Sequence, residues 1–365
     1  MKKIYVTKPF LPPIDEYVEY LEKIWEKKIL TNNGPLHSEF ESKLADYLGV
    51  KYISLVNNAT AGLMIALEAL GLKNEIITNP FSFIATSHSI KWNRLKPVFV
   101  DTDRLTGNLL PENVEEAINN KTSGILATHN FGIPSNLNRM KILSEKYKIP
   151  LIYDAAPAIG VKVNGDSILK FGDISVLSFH ATKIFNTFEG GAIICKTKEL
   201  KDRVDKIRNF GITDEETVAC LGLNGKMSEV NAAMGILQLK YINKVIKKRK
   251  NIYERYREGI NTSEKIQMIG INKNVEYNYS YFPILFGGKD VRDKIYILLK
   301  ENNIYCRKYW YPLITEHKTY HKKGIDRTLK NAKDMSNKIL NIPLYPDLKK
   351  KDVEIVINTI NKVLF

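Results

Sequence analysis

Ser178-Phe-His-Ala-Thr-Lys183-Ile-Phe-Asn-Thr-Phe-Glu-Gly-Gly191 places a lysine between an apolar run, Ile174–Phe179, and a Gly-Gly turn that opens a second run, Gly191–Lys196. Upstream, Pro150-Leu-Ile-Tyr-Asp154 is another apolar run, and it ends in a carboxylate. Runs of this length, bounded by turn residues and with polar groups only at their carboxyl ends, predict strands buried on both faces. In an open α/β sheet, the carboxyl ends of the strands are where ligands gather. The same pattern extends outward. Tyr52–Val56, Glu75–Thr78, Pro97–Asp101 and Gly124–His129 are further predicted strands, and amphipathic segments such as Thr60–Leu70 and Leu137–Tyr147 lie between them. Strand and helix alternating in this way specify βαβ units and a large, mostly parallel sheet.

The pattern changes near residue 245. A long helix, Val230–Tyr241, leads into a basic helix carrying Lys244-Val-Ile-Lys-Lys-Arg-Lys250. A strand Tyr281–Phe286, a helix Val291–Asn302, a strand near Tyr305 and a helix Lys351–Leu364 follow. The expected organisation is a large α/β domain over 1–243 and a smaller α+β domain over 244–365, with the N-terminal ~20 residues packing on the smaller one.

The 365 residues carry a formal charge of +15. That excess fits either nucleic-acid binding or a basic surface that attracts small anions. Ile242, Val245 and Ile246 share the basic helix with its charges, so the cluster reads as a solvated helix face, and no nucleic-acid-binding signature accompanies it. Cys195, Cys220 and Cys306 share no short spacing, so neither a disulfide framework nor a zinc site is indicated. His317 and His321 are four apart, but Lys318 follows the first, which is not the zinc-helix pattern; no metal is expected. Neither a secretory segment nor a run of ~18 apolar residues is present, and a cytoplasmic protein without membrane contact is expected.

Four places could carry chemistry. Asn57-Asn58-Ala59-Thr60-Ala61-Gly62 is a strand-to-helix turn whose free N–H groups could hold a phosphate, although an N-cap by Asn58 or Thr60 explains it equally simply. Asp154 could hold a ring nitrogen protonated, or could be a turn aspartate. Lys183 is the nucleophile candidate, because imine chemistry needs a free amine lone pair and a desolvated setting favours one. Ser178 could bond a phosphate, while His180 reads as a packing residue. Phe83 follows a strand end; by spacing alone such an aromatic reads as core. Lysine and aspartate together suggest pyridoxal phosphate.

Taken together, these residues resemble the sugar-nucleotide aminotransferases of the DegT/DnrJ/EryC1/StrS family. The resemblance runs from Thr31-Asn-Asn-Gly-Pro35 to Asn341-Ile-Pro-Leu-Tyr-Pro346 and is most specific in the Lys183 block and in Gly222-Leu-Asn-Gly-Lys-Met-Ser-Glu229. It implies the aspartate aminotransferase-type fold, with pyridoxal phosphate carried on Lys183, its ring nitrogen paired with Asp154 and its face covered by Phe83. Ala59, Thr60 and Ser178 match the family's phosphate cup. Asn224 matches an asparagine reaching the phosphate from the second subunit of a homodimer with shared active sites. Two positions depart from the pattern. Pro157 stands where relatives carry Gln or His beneath the cofactor, and Lys226 where many carry Arg, which loses bidentate geometry. The implied reaction moves an amino group from L-glutamate to a dTDP-linked keto-6-deoxyhexose, for a surface glycan such as O-antigen. Ser178-Phe-His-Ala-Thr-Lys-Ile-Phe185 is closer to the formers of 4-amino sugars, acting on dTDP-4-keto-6-deoxyglucose, than to those acting on dTDP-3-keto sugars. A sugar dehydratase of the same family would carry histidine in place of Lys183. The remaining alternative is a non-enzymatic regulator or basic nucleic-acid-binding protein.

Overall fold

The computed structural model describes residues 3–321, 324 and 328–362. Each strand expected in the first part of the chain forms, and together they build one seven-stranded sheet. Its order is Tyr52–Val56, Gly191–Cys195, Ile174–Ser178, Leu151–Asp154, Thr122–Thr128, Glu75–Thr78 and Lys96–Phe99. Only Gly191–Cys195 runs antiparallel to its neighbours. The strand Leu151–Asp154 is central and parallel to both of its partners, with Asp154 opposite Thr128 on one side and Val176 on the other.

Side chains alternate across a strand, so each strand sends residues to both faces. Ile152, Ile174, Val176 and Ile193 enter the core beneath the helices Ala59–Ala69 and Lys198–Ile207, whereas Leu151, Tyr153, Leu177 and Ile194 enter the core on the opposite face. Asp154 and Ser178 share the periodicity of Ile152 and Val176. Both therefore emerge on the face where the helix Ala59–Ala69 begins. That helix lies close to the sheet at Gly62, where a Cβ would stand 2.9 Å from the Val176 side chain.

The helix Glu229–Gly259 is one continuous 31-residue element. The expected 243/244 division falls inside it, because apolar side chains line one stripe through both halves, from Ala232 and Ala233 to Ile252 and Tyr256. Its first residue, Glu229, is buried, and its carboxylate accepts hydrogen bonds from the N–H groups of Leu36 (2.9 Å) and His37 (2.8 Å) in the helix Pro35–Leu48. A carboxylate at a helix N-terminus meets unpaired donors and the positive end of the dipole together. Gly34 makes room for it, since a Cβ there would lie 2.6 Å from the Glu229 side chain. The Thr31–Pro35 and Gly222–Glu229 blocks are thus two halves of one contact.

Beyond this helix, Ile266–Met268, Pro283–Phe286 and Ile339–Asn341 form an antiparallel sheet covered by the helices Lys289–Glu301 and Lys330–Lys338, while Lys350–Asn361 packs on Lys289–Glu301 and on the long helix. Ile4–Tyr5 pairs in parallel with Ile304–Tyr305, which fastens the N-terminus to this part of the chain. The basic cluster needs one correction. Lys244, Lys247, Lys248 and Lys250 are exposed, but Arg249 is buried and donates to the carbonyls of Tyr279 (2.8 Å) and Ser280 (2.7 Å). A guanidinium is less costly to bury than an ammonium because its planar donors can satisfy several carbonyls at once. No helix among the described residues is long and apolar enough to cross a membrane.

Replacing Glu229 by Ala leaves two buried N–H groups unpaired and should lower stability by about 2–4 kcal/mol in urea unfolding; a loss below about 1 kcal/mol would refute the cap. His37 should dominate part of the pH dependence. Burial first, then the Arg208 guanidinium, holds its imidazole down to about 4. The unfolded chain takes up that proton below about pH 6.5 while the folded protein resists it, so stability falls as pH drops from 6.5 towards 4. His37→Gln should remove on the order of 2 kcal/mol of the loss between pH 6.5 and 5. Parallel stability curves for the two proteins would contradict this.

Candidate active site

A cleft of about 300 Å³ opens at the carboxyl ends of the central strands. Asp154 lies on its floor, about 8% exposed. One carboxylate oxygen accepts the Thr86 hydroxyl at 2.7 Å and the other the Ala156 N–H at 3.2 Å. Thr86 is itself buried and paired at 2.6 Å with the Ser82 hydroxyl, so a two-hydroxyl chain orients the acid. Burial pushes the Asp154 carboxyl above its ordinary range. The Thr86 and Ala156 hydrogen bonds and the charge of Lys183 oppose that rise. A cation brought against the open side would hold the group ionised.

Lys183 reaches into the same cleft from the loop after the strand Ile174–Ser178. Its Nζ lies 3.4 Å from the Tyr281 hydroxyl and 5.9 Å from the centre of that ring. Tyr281 packs edge-on against Phe131 at 5.7 Å and Tyr309 at 6.0 Å. The backbone just before it is pinned by Arg249 and by Asn278, whose amide donates to the carbonyls of Pro157 and Ile159. Arg249 therefore acts on this site at a distance, by fixing where Tyr281 stands.

At the far end, the Asn58 side chain accepts from the Ala61 N–H at 2.9 Å and caps the helix Ala59–Ala69. The N-cap reading of this turn is correct, and it leaves the Ala59 and Thr60 N–H groups without partners among the described residues, on the positive end of the helix dipole. Ser178, also in the cleft wall, accepts only the His180 N–H at 3.4 Å, so its hydroxyl proton is free to donate. Phe83 does not sit in the core; it is 57% exposed, with its ring in the cleft wall. His180 does not pack either. It is exposed and pairs with Thr182 at 2.8 Å and Glu189 at 3.5 Å.

Asn224 lies outside the cleft of its own chain. It is exposed, and its carbonyl accepts from the Asn57 side chain at 3.0 Å, next to the phosphate-type turn. Lys226 is half-buried and bonds Asn209 at 2.8 Å over the Phe210 ring. Pro157 lines the cleft, and its carbonyl accepts from Asn278 and Ser280. His129 was not signalled by any local motif. It lines the cleft, fully buried and stacked on Tyr153 at 4.4 Å, with burial holding its pKa down to about 3. Thr86, Tyr281 and Trp310 likewise join the site without a local signal. A carboxylate, an amine, a free aromatic face and a set of unpaired N–H and O–H donors are what a phosphorylated pyridine aldehyde requires. The residues present fit pyridoxal phosphate.

Comparison with known proteins agrees. The sequence profile described as the DegT/DnrJ/EryC1/StrS aminotransferase family matches residues 14–361. A dTDP-4-amino-4,6-dideoxy-D-glucose transaminase of Shigella dysenteriae is 44% identical over 99% of both chains, and one of Escherichia coli is 46% identical over 96% of both. The solved structure of DesI in the presence of its TDP-sugar product superposes with a TM-score of 0.94 at 30% identity, covering 99% of this chain and 93% of that one.

Thr86→Val keeps shape but removes the donor to Asp154. In carboxyl-carbon NMR of aspartate-labelled protein, the Asp154 resonance should titrate at higher pH than in the wild type. An unchanged midpoint would show that the hydroxyl does nothing for the ionised form.

Proposed function

The chain belongs to the DegT/DnrJ/EryC1/StrS aminotransferase family, and from that premise we propose that it moves the amino group of L-glutamate onto dTDP-4-keto-6-deoxyglucose. The product is a dTDP-4-amino-4,6-dideoxyhexose destined for a surface glycan. The protein is a pyridoxal-phosphate-dependent sugar aminotransferase, as its relatives are. The observation that carries the reading is that Asp154 and Lys183 face one cavity.

The bound cofactor supplies an electron sink that allows a proton to leave the carbon bearing nitrogen. This chain's residues supply the rest. Lys183 Nζ would hold the cofactor, and its amine would move the proton between carbons as general acid and base. Tyr281 orients that nitrogen through its hydroxyl. Asp154, oriented by Thr86 and Ser82, keeps a proton on the ring nitrogen. The Ala59 and Thr60 N–H groups and the Ser178 hydroxyl would hold the phosphate, and Phe83 would cover one face of the ring. Asn224 completes the phosphate site of a second subunit in a homodimer. Supporting this, Phe210, Ile212, Val218 and Leu221, near Asn224 in sequence, are all at least 40% exposed, apolar side chains that a subunit contact would cover. Both transaminase relatives carry 4-amino names, which favours carbon 4 over carbon 3.

Purified protein should be yellow, and borohydride should fix the cofactor to Lys183. Lys183→Ala should abolish that fixation and cut turnover by ~10²–10⁴-fold or more. With glutamate, dTDP-4-keto sugar should yield an amine on carbon 4 by NMR. Faster turnover of the dTDP-3-keto sugar would overturn the choice of carbon, and a trapped cofactor elsewhere would overturn the role of Lys183.

A further inference from the structure

The loop that carries Lys183, between the strands Ile174–Ser178 and Gly191–Cys195, has no regular secondary structure, and a distant segment of the chain lies across it. That segment is Val6–Phe10. The Thr7 hydroxyl donates to the Thr182 carbonyl at 3.2 Å, one residue before the lysine. Three residues after the lysine, the Asn186 amide donates to the Phe10 carbonyl at 3.1 Å. The Gln238 amide of the long helix donates to that same carbonyl at 2.9 Å, and the Phe10 ring packs on Tyr241 at 5.6 Å. Upstream, the Val6 carbonyl accepts the Leu344 N–H at 3.1 Å, continuing the pairing of Ile4–Tyr5 with Ile304–Tyr305. Lys183 is thus bracketed by contacts to one segment, and that segment is itself fastened to the C-terminal part of the chain and to the long helix.

We infer that Val6–Phe10 is a clamp that positions the Lys183 amine, with Thr7 and Gln238 as positioning residues. The inference rests on the role of Lys183 proposed above. Lys8 and Pro9, within the segment, are exposed, so burial of apolar surface does not hold it down. Polar contacts do. Asn186 and Gln238 are both buried, and the Gln238 amide oxygen has no partner among the described residues. A buried amide is costly unless bonded, and a leucine would fill the space of Gln238 without that cost. What the two amides gain is a shared hold on one carbonyl of an otherwise open segment.

The clamp also closes the back of the site. Thr7, Thr182, Ser280, Tyr281 and Tyr309 line a chamber of about 20 Å³, and Thr182, Tyr281 and Tyr309 line the cofactor cleft as well. The segment, the lysine loop and the Tyr281 hydroxyl beside Nζ therefore form one layer. A misplacement of ~1 Å can cost a reacting group about 10²-fold in rate. A loop without ladder hydrogen bonds is poorly placed to prevent that alone, and a segment fastened outside it supplies the missing restraint.

Hydrogen exchange of the holoenzyme, read peptide by peptide, tests this. Thr7→Val combined with Gln238→Leu removes two of the clamp's bonds while nearly conserving volume. Amides 182–188 should exchange about tenfold faster, which is what one ordinary hydrogen bond adds to local protection, while Leu151–Asp154 and Ile174–Ser178 exchange as in the wild type. Turnover should fall about tenfold with the KM for glutamate unchanged, because the amine is displaced and the binding groups are not. Thr7→Val alone, at a half-buried position, serves if the double variant does not fold; a roughly threefold acceleration confined to the same amides is expected. Unchanged exchange over 182–188, an equal rise throughout the large sheet, or a faster loop with turnover intact would each overturn the clamp. Bleaching of the wild-type colour by glutamate is read separately. Its failure would sink the aminotransferase reading, whereas normal bleaching with unchanged exchange in the variants would sink this inference alone.

Discussion

A carboxylate buried at the end of the central strand is the constraint on which the other features of this site depend. Asp154 is lifted out of water, and a lone buried carboxylate is driven towards its neutral acid. Two donors from the protein, the Thr86 hydroxyl and the Ala156 N–H, offset part of that cost. A positive charge on the open side of the cleft, such as the protonated ring nitrogen of the proposed cofactor, would offset the remainder.

Much of the remaining chain serves to hold three things around that carboxylate. Buried polar contacts hold two of them in place. Arg249, on the long helix, fixes the backbone before Tyr281 and so positions the neighbour of Lys183. Glu229, at the start of the same helix, caps Pro35–Leu48 and sets the segment that leads from Asn224 into the helix. The third, the phosphate-type turn at Ala59 and Thr60, is tied to that segment by the Asn57 N–H, which donates to the Gly225 carbonyl at 2.8 Å. A single helix thus links the amine end of the site to the surface assigned to a second subunit.

An aromatic contact joins the two parts of the chain at the cleft. Phe83 and Trp310 pack at 5.6 Å, one from the large sheet's connections and one from the C-terminal part of the chain. Both line the cleft, so the two parts of the chain meet at the site itself.

The strands of the seven-stranded sheet were legible in the sequence to within about two residues, since a strand buried on both faces must be apolar along its length; Ile266–Met268 and Ile339–Asn341 of the smaller sheet were not. Lys183, Asp154, Ser178 and the Ala59–Thr60 turn were legible too, because each sits at a strand end, where apolar runs stop and polar residues begin. Thr86 and Tyr281 were not; they stand 68 and 98 positions from the groups they contact. Arg249 looked like one more charge on a solvated helix, and Glu229 like the end of a block shared with a family, until folding supplied their partners. Local pattern records which residues leave water, because burial acts on each residue separately. Which polar groups then satisfy one another is decided only when distant segments are brought together, and spacing along the chain carries no trace of it.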